Sequence, residues 1–299
     1  TILALTNNPK RRAEPYHIVT QISDPQNMSV VGMIGMRDKV LVIQSGELIA
    51  RVVAQTSRQG GLSVVYTELL NYGGDEIYFQ EAPALAGMTF GESLLQFEDS
   101  AVIGLCFADG TVALSPAMDT RIGAGDRVVA VSADDDTVRV SGLGSIPLDE
   151  AAISADAKPY EPTPEKCLVL GWNRSASVIL SELDNYVPQG SQVRVVADPA
   201  ISDQAAHAER EVNACASRMQ SQTVTFKAGD TTDRALLEEL EAAEYDHIIV
   251  LSYDGLDVQT IDAKTLVTLL HLRDIAENDE TPFSIVSQML DLRNRELAE

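Results

Sequence analysis

Apolar positions along this chain switch between two periods, and the sharpest switch lies between Lys166 and Asp198. Cys167 to Leu170 is a short apolar run that stops at Gly171. After the turn Gly171 to Ala176 (GWNRSA), Val178, Ile179, Leu180 and Leu183 recur at helical spacing, and Val193 to Val196 is a β-branched run ending near Asp198. Strand, glycine turn, helix and strand in that order predict a βαβ unit. The alternation continues downstream. A strand is expected at Thr223 to Phe226, then a helix marked by Leu236, Leu237 and Leu240, then a strand at His247 to Leu251. A longer helix from about Asp257 to Ala276 carries Val258, Ile261, Leu266, Leu269, Leu270 and Ile275, and Ser284 to Val286 starts a fifth strand. Strands alternating with helices predict a parallel, doubly wound α/β sheet.

The first half has a different texture. Short strands are expected at Ile2 to Thr6, Ile18 to Ile22 and Val40 to Ile43. Ser45 then caps a helix with Leu48, Ile49, Val52 and Val53 on one side, Gly60-Gly61 breaks it, and a second helix runs from about Leu62 to Asn71. A strand at Glu76 to Phe79 follows. From Pro83 onward, apolar runs at Val102 to Cys106, Thr111 to Leu114 and Arg127 to Ser132 alternate with Gly-Asp turns, which predicts a small α+β subdomain of antiparallel strands. Val138 to Val140 is a further candidate strand, and Gly142 to Glu165 reads as a linker.

An internal repeat ties the two ends together. Residues 18–27 (IVTQISDPQN) and 285–294 (IVSQMLDLRN) share Ile18/Ile285, Val19/Val286, Gln21/Gln288, Asp24/Asp291 and Asn27/Asn294 at a constant offset of 267. Just upstream, ILALT (2–6) parallels IIVLS (248–252). The expectation is two related doubly wound lobes, both truncated. Between its paired strands, after Thr6 and before Ile18, the first copy has only about eleven residues where the second has a full helix. Either that helix is absent or residues are missing there.

Composition narrows the function classes. The formal charge of −23 argues against nucleic-acid binding and against docking on anionic lipid. No apolar run reaches the ~18–20 residues that cross a bilayer, so no direct membrane insertion is expected. The three cysteines are far apart and form neither a disulfide framework nor a CxxC pair, and the four histidines show no zinc spacing.

The candidate chemistry sits at the strand ends. In a dinucleotide fingerprint the glycines shape the turn and admit the pyrophosphate to a helix N-terminus, and an acid about 20 residues on binds ribose. Here Gly171 is present, Asn173 and Ala176 replace the later glycines, and Asp198 lies 27 positions on. Gly171 and Asn173 would face phosphate, Arg174 would add charge, Asp198 would accept from ribose, and Gly229, Asp230 and Ser252 would share the same edge. The alternative is that Asp198 and Asp230 are ordinary strand-end caps. For a divalent cation, which needs several oxygens, the candidates are Asp134, Asp135 and Asp136, with Asp198, Asp230 and Asp254 as a second set. Trp172, the single tryptophan, is either an interface anchor or a local packing residue.

Four stretches together resemble a known family: residues 45–79 (SGELIARVVAQTSRQGGLSVVYTELLNYGGDEIYF), the Gly-Asp subdomain at 83–140, CLVLGWNRSASVIL (167–180) and the GDTTDRALLEEL run (229–240). They are similar to the tandem RCK (regulator of K+ conductance) domains of the CASTOR/POLLUX (DMI1-like) ion channels and their bacterial relatives. The resemblance implies a first RCK lobe with crossover helices at 1–81, a small α+β C-subdomain at 82–142, a linker at 143–165 and a second Rossmann-like lobe at 166–299. It further implies a non-enzymatic gating-ring module on the cytoplasmic face of a membrane. That module would be homo-oligomeric, a ring of four, coupled to its own pore domain and biased by a ligand such as Ca2+ or NAD(H). A TrkA-like, NAD-binding peripheral subunit of a K+ transporter is the alternative. An NAD(P)-dependent oxidoreductase is disfavoured, since no His/Asp or Tyr/Lys pair is placed for hydride chemistry.

Overall fold

The computed structural model describes residues 7–22, 38–142, 149–152, 161–201, 204–277, 283–294 and 297. The described chain falls into two compact units, one drawn from residues 1–60 and 161–299, the other from 61–160. The architecture is mixed α/β, with parallel sheets in the first unit and an antiparallel sheet in the second.

In the discontinuous unit, β1 (His17–Ile22) and β2 (Lys39–Gln44) form a parallel pair. Between Asn7 and Tyr16 the chain makes turns that close on Asp38, whose carboxylate accepts from both Arg11 guanidinium nitrogens at 3.0 and 2.6 Å and from Tyr16 N at 2.8 Å. No helix stands among these described residues. The expected strand at Ile2 to Thr6 lies outside the described residues. Helix α1 (Ser45–Arg58) follows β2 directly, so Gln44 rather than Ser45 holds the cap position. Its Ala50, Val53 and Ala54 enter the core of the larger sheet.

That sheet contains β7 (Lys166–Leu170), β8 (Ser191–Ala197), β9 (Gln222–Ala228), β10 (His247–Val250) and β11 (Ser284–Ser287), in the order β11-β10-β7-β8-β9, all parallel. The helices between them are α4 (Ala176–Tyr186), α5 (Gln204–Ala216), α6 (Arg234–Glu239) and α7 (Val258–Glu277). A parallel sheet is buried on both faces, so its strands are apolar at consecutive positions. β7 shows this directly: Cys167 and Val169 meet α1, α4 and α5 on one face, and Leu168 and Leu170 meet α6 and α7 on the other. Leu168 and Leu170 are fully buried, each contributing about 1.5–3 kcal/mol. Arg58 closes α1 onto the sheet through a bidentate pair with Glu165 at 2.9 and 2.6 Å, and His247 Nε2 lies 3.2 Å from the same carboxylate.

The second unit holds α2 (Leu62–Leu70), β3 (Glu76–Glu81), α3 (Phe90–Ser93), β4 (Ser100–Cys106), β5 (Val112–Leu114) and β6 (Arg127–Ser132). The strands form an antiparallel sheet in the order β3-β6-β4-β5 around Leu85, Phe90, Phe97, Val102, Leu105, Ile122, Val128 and Ala130. The Gly-Asp signals mark its turns. Gly125 has φ +91°, and Asp126 accepts from Ala108 N and Gly123 N at 2.9 and 2.7 Å. The candidate strand at Val138 to Val140 is corrected to a single antiparallel bridge between Val140 and Phe97. Residues 135–137 ahead of it turn into a 3-10 helix, which leaves too little chain for a ladder.

Candidate functional site

Strand order in the five-stranded sheet reverses at β7 and β10, and open α/β sheets bind ligands outside the carboxyl ends of the strands at such a point. Gly171 to Ser175 leave β7 there, Leu251 to Asp254 leave β10, Asp198 follows β8, and Gly229 to Thr232 follow β9. The folding pattern thus brings all seven sequence-derived candidates to one sheet edge.

Each of them is engaged by the chain itself. Gly171 has φ +98°, and a Cβ there would lie 2.3 Å from Leu251 O. The glycine is demanded by the approach of the neighbouring strand. Asn173 is 6% exposed. Its Nδ2 donates to Ser252 O and to Gln288 Oε1, both at 2.8 Å, and its Oδ1 accepts from Ser175 N at 2.9 Å. Ser252 Oγ donates to the same Gln288 oxygen at 3.1 Å. Arg174 N, at the start of α4, donates to Asp254 Oδ2 at 2.9 Å.

Asp198 is 3% exposed. Its Oδ1 accepts from Ala200 N at 2.8 Å and its Oδ2 from Lys264 Nζ at 3.0 Å. Lys264 also reaches Asp230 Oδ1 at 3.5 Å, an oxygen that accepts from Thr232 N and Oγ1 at 3.0 and 2.7 Å. Burial works against the Lys264 ammonium, yet the Asp198 and Asp230 carboxylates hold its pKa above the ordinary lysine value. Burial likewise opposes the Asp230 charge, but the bonds from Thr232 and Lys264 hold that carboxyl below its ordinary value. Tyr253 donates or accepts at 3.2 Å with Thr231 Oγ1 and accepts from Asp198 N at 3.1 Å; burial pushes its hydroxyl up to about 12. Gly229 packs against Leu236 of α6.

A dinucleotide does not fit this arrangement. It needs space at the second glycine, free amides at the helix start and a carboxylate with free oxygens. Asn173 fills the first, Asp254 and Asn173 take the second, and Lys264 with Ala200 takes the third. Of the second acidic set, Asp198 and Asp230 share Lys264 while Asp254 turns to Arg174. The Asp134 run does not converge on one point. Asp134 accepts from Asp135 N at 2.7 Å as a cap, and Asp136 pairs with Arg139 at 3.4 Å. Among the described residues no three His, Cys, Asp or Glu side chains gather as a metal site. Trp172 is 3% exposed and packs in the core beside Ala176 and Ile179, the local packing alternative.

Sequence reasoning missed Lys264, Gln288 and Tyr253. Gln288 carried a signal, since it recurs as Gln21 in the repeat: each meets residues that follow a neighbouring strand, Gln288 by accepting from Asn173 and Ser252, Gln21 by donating Nε2 to Ser45 Oγ at 2.9 Å.

Comparison with known proteins places the chain. Residues 46–145 match the family model described as Castor and Pollux, part of voltage-gated ion channel. A probable ion channel CASTOR of Oryza sativa is 29% identical over 287 residues, 92% of this chain and 30% of that protein. The ion channel CASTOR of Lotus japonicus is 28% identical over 92% of the chain and 32% of its own length. A probable ion channel POLLUX of Arabidopsis thaliana is 26% identical over 87% and 31%. Two solved structures, a GsuK channel bound to NAD and a GsuK channel, each match 94% of the chain and 42% of their own, at 16% and 14% identity with TM-scores of 0.39 and 0.41. The chain spans about a third of the curated relatives it matches. The chain is similar to the CASTOR and POLLUX ion channels through both of its units.

Proposed function

We propose that this chain is a cytosolic regulatory module of a CASTOR/POLLUX-like cation channel, built from RCK-type lobes and coupled to a pore elsewhere in the full protein. The observation that carries this reading is the extent of the match. Similarity to these channels runs over 87–92% of the chain, yet no described helix is long and apolar enough to cross a membrane. The matched third of the channel, in this reading, folds beside the bilayer. In this reading the chain carries no chemistry of its own. It acts by having two shapes of unequal free energy, which a ligand populates differently according to its affinity for each.

Assembly into a homo-oligomeric ring is supported by α2. None of its nine residues is buried, although five are Leu or Val. Val64 is 68% and Leu70 85% exposed, with Tyr72 beyond the helix at 96%. Such a patch marks an interaction surface.

The test is single-channel recording of the full-length protein in planar bilayers, unaltered and with Val64→Glu plus Leu70→Glu. The expected result is a cation current whose open probability changes in the variant while unitary conductance and selectivity stay the same. No current, or a variant that changes unitary conductance or selectivity, refutes a regulatory role.

A further inference from the structure

The first two turns of α7 carry two polar side chains two residues apart, which therefore leave the helix on opposite sides. Lys264 reaches back to Asp198 and Asp230, beyond the ends of β8 and β9. Asp262, fully buried, reaches the other way to the chain after β11, accepting from Leu290 N, Asp291 N and Asn294 Nδ2 at 3.0, 2.9 and 2.9 Å. One helix start therefore grips both flanks of the sheet across the point where strand order reverses. In a cofactor-binding lobe of this topology, the bound dinucleotide spans that same point.

We propose that α7 replaces the dinucleotide in this lobe: the edge is liganded by the chain's own groups and takes neither NAD(H) nor ATP. The chemistry of exchange supports this. Neutral ribose hydroxyls in place of the Lys264 ammonium would leave two carboxylates without a cation and the ammonium without its anions. A phosphate at Arg174 N would meet the Asp254 carboxylate, a like charge on the same amide. Asn173 would have to give up Ser252 and Gln288 to make room, leaving buried polar atoms unpaired. The inference does not depend on the channel reading; if both hold, a ligand that biases the module acts away from this edge.

The 299-residue chain is titrated calorimetrically with NAD+, NADH and ATP, each to about 1 mM, a concentration that reveals any Kd tighter than millimolar. No saturable heat is expected. Saturable binding of any of the three that Asp198→Asn abolishes overturns the proposal. In parallel, unfolding is followed by calorimetry. K264M is expected to lower Tm by about 5 °C, as loss of a partly buried ion pair does in a unit of this size, whereas K264R stays within about 2 °C of the unaltered chain. D198N/K264M is expected to recover at least half of the K264M loss, because it removes the orphaned carboxylate as well. A K264M midpoint equal to that of the unaltered chain refutes the role given to Lys264.

Discussion

Replacing Asp262 by asparagine tests the α7 grip at its most buried point. The substitution keeps shape and volume but exchanges one acceptor oxygen for a donor. Three N–H groups converge on the carboxylate, from Leu290, Asp291 and Asn294, and the residue is 0% exposed. The single amide oxygen of the D262N side chain can serve one side of that cluster. Its NH2 then points at a backbone N–H, so one bond to an ionised acceptor is lost, about 1.5–3 kcal/mol, and one donor is left facing a donor, about 1–3 kcal/mol. A total of about 3 kcal/mol lowers Tm by roughly 6–12 °C for a unit of 150–250 residues. The chain has one cheaper response, which is to release residues 288–294 into water. The global midpoint then moves less, and the Leu290 and Asp291 amides lose their protection from hydrogen exchange. Calorimetry paired with exchange mass spectrometry of the C-terminal peptide covers both responses. A midpoint within about 1 °C of the unaltered chain, with those two amides still protected, refutes the reasoning.

Two further outcomes follow from features described above. Gly171→Ala places a Cβ 2.3 Å from Leu251 O at φ +98°, so it is expected to cost about 2–4 kcal/mol from left-handed strain and strand displacement, read as a fall in the urea midpoint; an unchanged midpoint contradicts the close approach. Arg58→Met leaves the Glu165 carboxylate with His247 alone and is expected to cost about 2 kcal/mol, less than a fully buried pair because both side chains keep some exposure. The sign with pH is specific. Arg58 holds Glu165 below its ordinary value of 4.5, so the pair's contribution is present above that value and is lost as pH falls through the depressed one. The unaltered chain therefore loses more stability than R58M between about pH 5 and pH 3, and parallel acid titration curves for the two would rule this out.

The sheet was legible because its signals are local. A parallel strand buried on both faces needs consecutive apolar residues, and Cys167 to Leu170 provide them for β7. The seven edge residues were legible for a related reason: topology alone brings strand ends together, whatever the side chains then do. Their bonding was not. Asn173 meets Gln288 across 115 positions, and Lys264 meets Asp198 across 66. From sequence, Lys264 is one more cation on a helix, and nothing short of the packed α7 shows which way it points. The Asp134 run misled in the opposite direction, since three neighbouring carboxylates in a 3-10 turn diverge to cap one amide and pair with one arginine.

One consequence concerns the order in which the molecule is made. α1 finds its core partners, and Arg58 finds Glu165, 107 positions later. At 5–20 residues per second, a ribosome needs roughly 5–20 s to cover that distance. By the end of this wait residues 61–160 possess everything their own core requires, whereas Ala50, Val53 and Ala54 still lack the five-stranded sheet they pack on. The antiparallel unit is therefore the first part able to fold on the ribosome. The nascent chain carries α1 as an unsatisfied apolar stripe ahead of it, the stretch where a chaperone holding this protein during synthesis would bind.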